Sequence, residues 1–186
     1  MGHGGDAIAE LMTDHREVEE MFARIQAIPG GGQELRDVVD EVTIELVRHS
    51  IAEEEYLYPA VRKHIEGGGE IVDREIADHG RVEKLLKDLE RTDPDDPRTG
   101  PLLRQLMREV TAHVQDEEEN LFPMLRQGCT ADALTDLGDK IRRAKSMAPT
   151  RPHPSLPSTP PANRLIAPGA GLVDRARDLI TGRGKS

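Results

Sequence analysis

The chain has 186 residues, enough for one domain with a proper core, and only 36% of them are hydrophobic against 32% charged. With no Trp, two Tyr and two Phe, that core has to be aliphatic, which suits packed helices better than stacked sheets. The net charge of −10 divides into −14 over residues 1–146 and +4 over residues 147–186, and an acidic body argues against nucleic acid as the main partner.

In chain order, residues 6–28 place Ile8, Leu11, Met12, Val18, Phe22 and Ile25 at helical spacing, and Pro29-Gly30-Gly31-Gly32 stops that helix. A longer helical segment follows from about 33 to 65 and ends at Gly67-Gly68-Gly69. A third spans 70–91, a turn-rich loop spans 92–101, a fourth helix runs from about 101 to 127, and Thr130 caps a fifth that reaches about 146. Residues 147–170 are rich in Pro and read as a linker. Residues 171–186 contain a short amphipathic helix with Leu172, Val173, Ala176, Leu179 and Ile180 on its apolar side, read as docking on its own bundle or fraying.

The first helical hairpin is written twice, at an offset of 64 residues. HSIAEEEYLYPAVR at 49–62 matches HVQDEEENLFPMLR at 113–126, and Asp14-His15 recurs as Asp78-His79. Two like hairpins joined by short loops predict an all-α, up-down-up-down four-helix bundle over residues 1–146. A helix advances about 100° per residue, so Glu53 stands over His49 and Glu117 over His113. With His15 and His79, one level of the bundle carries four imidazoles and two carboxylates. Facing inward without partners, these groups would cost several kcal/mol, a cost that metal removes. Imidazole with carboxylate suits iron, manganese or zinc, and the ligand count suits two ions. One tetrahedral zinc would leave ligands over, and the chain has neither the Glu-x-x-His of ferritin-like sites nor a His-Glu-x-x-His protease motif.

The pattern His15, His49-x-x-x-Glu53, His79, His113-x-x-x-Glu117, with Leu-Tyr-Pro and Leu-Phe-Pro following, resembles the hemerythrin-like (HHE cation-binding) domain over residues 6 to about 128. The resemblance implies two iron ions per chain, bridged by oxo or hydroxo and by carboxylate. His15, His49, His79 and His113 would be terminal ligands, and Glu53 and Glu117 would bridge. The oxygen carriers of that family have a histidine where this chain has Glu75, four before His79. They also have an aspartate five residues after the last histidine, where this chain has Glu117 at four.

Tyr56 lies seven residues after His49, nearly two turns or ~700° on, and is expected on the ligand face as a candidate ligand and catalytic group. Tyr58 is expected to point the other way, beside Pro59. Glu75 is a further candidate ligand. Glu45 and Glu109, one turn before their histidines, are expected to orient the imidazoles, and Pro59 and Pro123 to kink their helices. His64 lies ~16 Å along the axis beyond Glu53, too far to join, and His3 and His153 are read as incidental. The first residues lack the pattern of a secretory signal, no apolar run approaches the roughly 20 residues that span a bilayer, and the lone Cys129 cannot form an intrachain disulfide. The expectation is a cytoplasmic di-iron protein that meets small molecules, hydrogen peroxide, nitric oxide or dioxygen, with neither nucleic acid nor membrane as partner. Breakdown of hydrogen peroxide, catalase- or peroxidase-like, is the leading reading, and reversible binding or sensing is the alternative.

Overall fold

The computed structural model describes residues 4–155, 159, 169–174, 177–178 and 183. Its helices are α1 (Ala7–Ala27), α2 (Gly32–Ala52), α3 (Tyr58–His64), α4 (Gly68–Arg91), α5 (Thr99–Asp116), α6 (Phe122–Gly128) and α7 (Ala131–Met147). Helices α2 and α3 are one rod interrupted by a π-helical turn at Glu53–Leu57, and α5 and α6 are another, interrupted at Glu117–Leu121. α1 packs on α2 and α4 on α5, completing the four-helix bundle, and α7 lies against α1 and α2.

Local chemistry sets the ends. Asp6 accepts from Ala9 N–H at 2.9 Å to start α1, and Thr130 from Ala133 N–H at 3.3 Å to start α7. Gly67 turns the chain with a left-handed φ of 70°. Gly68 and Gly69 belong to the first turn of α4 and not to the stop before it. A Cβ on Gly68 would lie 2.4 Å from the carbonyl oxygen of Val61, so glycine lets α4 start directly against α3.

The kinks expected at Pro59 and Pro123 take a particular form. Each proline lacks an N–H and crowds the carbonyl four residues back. The preceding turn widens by one residue, so Tyr58 N–H donates to Glu53 O and Phe122 N–H to Glu117 O. Both widened turns begin on the glutamate of a His-x-x-x-Glu pair.

The core is aliphatic and comes in two parts. One is built around Val42, Leu86, Leu89 and Leu106, and the other around Leu11, Leu57, Val61, Leu121, Leu125 and Ile141. In each of the four rods of the bundle (α1, α2–α3, α4 and α5–α6) the ligand-level histidine lies between the residues supplied to one part and those supplied to the other. Among the described residues no helix is long and apolar enough to cross a membrane.

The chain after α7 is held against the bundle by charge. Arg151 pairs with Glu90 at 2.7 Å and Asp178 at 2.6 Å, Arg183 with Asp40 at 3.0 Å, and His153 with Asp174 at 2.8 Å. Among the described residues of the terminal helical segment, Gly171, Asp174 and Asp178 are buried, whereas Leu172 and Val173 are 67% and 61% exposed. Those two leucine and valine side chains therefore do not dock as the amphipathic pattern suggested; Ala176, Leu179 and Ile180 lie outside the described residues. His153 is part of this network and not incidental.

Gly138 of α7 sits so close to the start of α1 that a Cβ would meet Gly5 O and Asp6 C at 2.9 Å. Ala for Gly inside a helix ordinarily gains about 1 kcal/mol. Here the clash is with backbone, and Gly138→Ala is expected to lower stability by about 1–2 kcal/mol, read from urea denaturation. A stability gain would mean that α7 is not seated on α1 as described.

Candidate metal centre

Between the two aliphatic clusters lies a single polar layer. Glu53 and Glu117 are 0% exposed, and His15, His49, His79 and His113 are buried around them. The four histidines are arranged alike, with Nδ1 turned outward to a carboxylate. His15 Nδ1 lies 2.8 Å from Glu118, His49 Nδ1 3.0 Å from Asp14, His79 Nδ1 3.1 Å from Glu54, and His113 Nδ1 3.0 Å from Glu75. The first three are hydrogen bonds that fix their rings, the His113 contact is an ion-pair contact without hydrogen-bond geometry, and all four rings leave Nε2 aimed at the middle of the bundle.

The inward nitrogens meet the two central carboxylates. Glu53 Oε2 lies 3.2 Å from His49 Nε2 and 3.3 Å from His79 Nε2. Glu117 Oε2 lies 3.3 Å from His15 Nε2 and 3.6 Å from His113 Nε2. Ligand atoms group into His15, His49 and Glu117 on one side and Glu53, His79 and His113 on the other, each set within 4.8 Å. Each carboxylate thus touches one histidine of each set, as a bridge between two ions requires.

Both carboxylate oxygens of Glu53 and of Glu117, and Nε2 of His15 and His49, are buried without a hydrogen-bond partner. Leaving four buried acceptor oxygens so is costly, and bound cations meet that cost. The donors present therefore fit a pair of cations.

The family model for the hemerythrin HHE cation-binding domain matches residues 6–125. This chain belongs to that family. A hemerythrin-like protein of Schizosaccharomyces pombe is 26% identical over 171 residues, 91% of this chain and 84% of that one. A DNA nickase of a Nostoc species is 29% identical over 137 residues, 73% of this chain but 38% of the larger protein. A solved hemerythrin HHE cation-binding domain-containing protein from Mycobacterium kansasii shares the fold, with a TM-score of 0.66 at 24% identity over 76% of this chain and 85% of that one.

In this hemerythrin-like chain the phenol at the histidines is Tyr58, contrary to the reading that turned it away. It is 1% exposed, its Oη is 2.9 Å from His79 Nε2, and the two rings lie 5.4 Å apart. The reason is the π turn: one extra residue after Glu53 rotates everything beyond it, so the residue five on, and not the one three on, returns to the site. Tyr56 is half-buried and packs against the aliphatic cluster built around Leu11, Leu57 and Ile141. The repeat places Phe122 where Tyr58 stands, and its ring stacks on His15 at 5.7 Å.

Glu45 and Glu109 do not orient the imidazoles; they pair with Arg48 at 3.3 Å and Arg81 at 3.4 Å on the outside of the bundle. The orienting carboxylates are Asp14, Glu54, Glu75 and Glu118. Two of these, Glu54 and Glu118, recur at the 64-residue offset inside the acidic runs, a signal available in the sequence. Glu75 also lies within 4.8 Å of ligand atoms of His113 and Glu117, so it stands both behind His113 and beside the second position.

A cavity of about 20 Å³ lies over the histidines, roofed by Val18, Leu46, Val82, Val110 and Val114. A second, of about 30 Å³, shares Leu46, Ser50, His79 and Val82 with it and opens outward between α2 and α4, where Pro149, Arg151 and His153 form its far wall. Each is large enough for a water-sized molecule.

With no cation bound, burial pushes the His79 imidazolium down, but Glu53 and Glu54 outweigh it and raise its pKa to about 10. His49 is likewise held above the usual range, where burial is outweighed by Glu53 and Asp14. Because these folded-state values lie above the unfolded ones, the pairs stabilise the cation-free fold fully below the ordinary histidine range, and for His79 this is lost as pH rises through about 10. A cation has to displace those protons. Zinc titrated into the cation-free chain at neutral pH is expected to release protons, measured by pH-stat, and to bind more tightly as pH rises. Binding without proton release would show that the imidazoles are already neutral.

Proposed function

We propose that this chain is a non-haem di-iron protein that breaks down hydrogen peroxide in a catalase- or peroxidase-like reaction, with nitric oxide as the other small partner to be tested. The observation that supports this most is the pair of His/Glu sets joined through Glu53 and Glu117 beneath a small cavity of about 20 Å³ with a largely aliphatic roof. A bound iron pair supplies the electron transfer that peroxide chemistry needs. The chain supplies the rest. Val18, Leu46, Val82, Val110 and Val114 keep bulk solvent and larger substrates out. Before a cation binds, Tyr58 holds its proton at an oxygen 2.9 Å from His79 Nε2, because burial and the charges of Glu53, Glu117, Glu75 and Glu54 push its phenol well above the usual range, and a ferric ion would have to displace that proton for the phenolate to bind.

Tyr58 and Glu75 bring hard oxygen groups to the second set, where a carrier has imidazole. Oxygen donors of this kind favour the ferric state over the ferrous state that reversible carriage needs. The acidic body supports leaving nucleic acid out of the reading. The alternative, a module that binds or senses dioxygen or nitric oxide, has one observation in its favour: residues of the C-terminal segment wall the cavity that reaches His79.

Iron-loaded protein is expected to evolve oxygen from hydrogen peroxide in a Clark electrode, and His113→Ala to abolish it. Iron retained without oxygen evolution would move the weight to binding or sensing. A visible ferric phenolate band is expected to vanish in Tyr58→Phe and to survive in Tyr56→Phe; the reverse would restore Tyr56 to the site.

A further inference from the structure

The four outward carboxylates are not equally neutralised. Asp14, behind His49, is met by Lys145 of α7, and Glu118, behind His15, by Arg16. Both of these histidines belong to the set completed by Glu117. Glu54, behind His79, and Glu75, behind His113, pair with no Lys or Arg among the described residues. Among the described residues the second set therefore has two carboxylates behind it that meet no Lys or Arg, whereas each of the two behind the first set meets one, Lys145 being shared with Glu10 and Arg16 with Glu19.

We propose that Lys145, with a smaller contribution from Arg16, makes the two cation positions inequivalent: the position at Glu53, His79 and His113 fills first and holds its ion more tightly, and the position at His15, His49 and Glu117 is the labile one. This rests on the two-cation reading of the centre. Two effects act in the same direction. Net negative charge close to a buried cation attracts it directly. An imidazole whose Nδ1–H faces a bare carboxylate is also a stronger donor at Nε2 than one whose carboxylate is shared with an ammonium group. Depth ranks the two positioning residues: Lys145 is 11% exposed and acts through Asp14 at 2%, whereas Arg16 is 41% exposed and screened by solvent. The fifth helix thus reaches the centre without contributing a ligand.

The test is a cobalt(II) titration of the full-length chain stripped of metal, followed by visible absorbance. Two steps separated by roughly tenfold to hundredfold in affinity are expected. Lys145→Met should tighten the weaker step about tenfold and leave the tighter one unchanged, with Lys145→Arg restoring the wild-type gap. Glu54→Gln should weaken the tighter step alone. Melting curves followed by circular dichroism establish that each variant folds. Two ions bound with equal affinity, or a Lys145→Met change spread equally over both steps, would overturn the inequivalence and leave the two-cation centre standing. No cobalt binding at all would overturn the centre itself.

Discussion

Everything distinctive about this bundle follows from placing two glutamates, with no hydrogen-bond partner for either carboxylate, in the middle of an aliphatic core. An ordinary four-helix bundle would pay for such a layer in stability, since unpaired buried acceptors lose water and gain nothing. Here the layer is organised around them. Each carboxylate lies between the inward nitrogens of two histidines, one from each set, and each histidine is turned by a further carboxylate behind it. The arrangement becomes economical only with positive charge at its centre, and its donor atoms are disposed for two ions.

Helix geometry lets the layer exist. A regular helix would bring the residues three and seven places after Glu53 and His49 back to the site. The prolines at 59 and 123 prevent that regularity and widen the turn that starts at each glutamate. The consequence is chemical, because Tyr58 and not Tyr56 comes to lie against His79. The duplicated position is Phe122, so the two halves of a nearly repeated structure differ by a hydroxyl on one side and a bare ring on the other.

The additions to the four helices also matter to the centre. α7 delivers Lys145 to Asp14, and the segment after it brings Arg151 and His153 to the outer wall of the cavity leading to His79. Both are tied down by ion pairs that are partly or wholly removed from solvent, where screening is weak. Arg151 and Arg183 of the basic C-terminal stretch are thus matched to Glu90 and Asp40 of the acidic bundle.

The helices, their antiparallel order and the level of the centre were legible along the chain. Those features follow from periodicity, Gly and Pro punctuation, and a 64-residue repeat that marks His15, His49, Glu53, His79, His113 and Glu117 together. These are properties of spacing along one chain, and spacing survives folding. The remaining features depend on contacts between helices or on a local break in period, and emerge only in the folded chain. Asp14, Glu54, Glu75 and Glu118 orient histidines on other helices, which no single-helix register can reveal, and the repeat is even misleading here, since Asp78, the counterpart of Asp14, pairs with Arg81 instead. Tyr58 was hidden because counting at 100° per residue assumes an unbroken α-helix. The terminal segment was hidden because its buried charged side chains, among the described residues, are Asp174 and Asp178, held by His153 and Arg151, so apolar periodicity pointed to Leu172 and Val173, which face solvent.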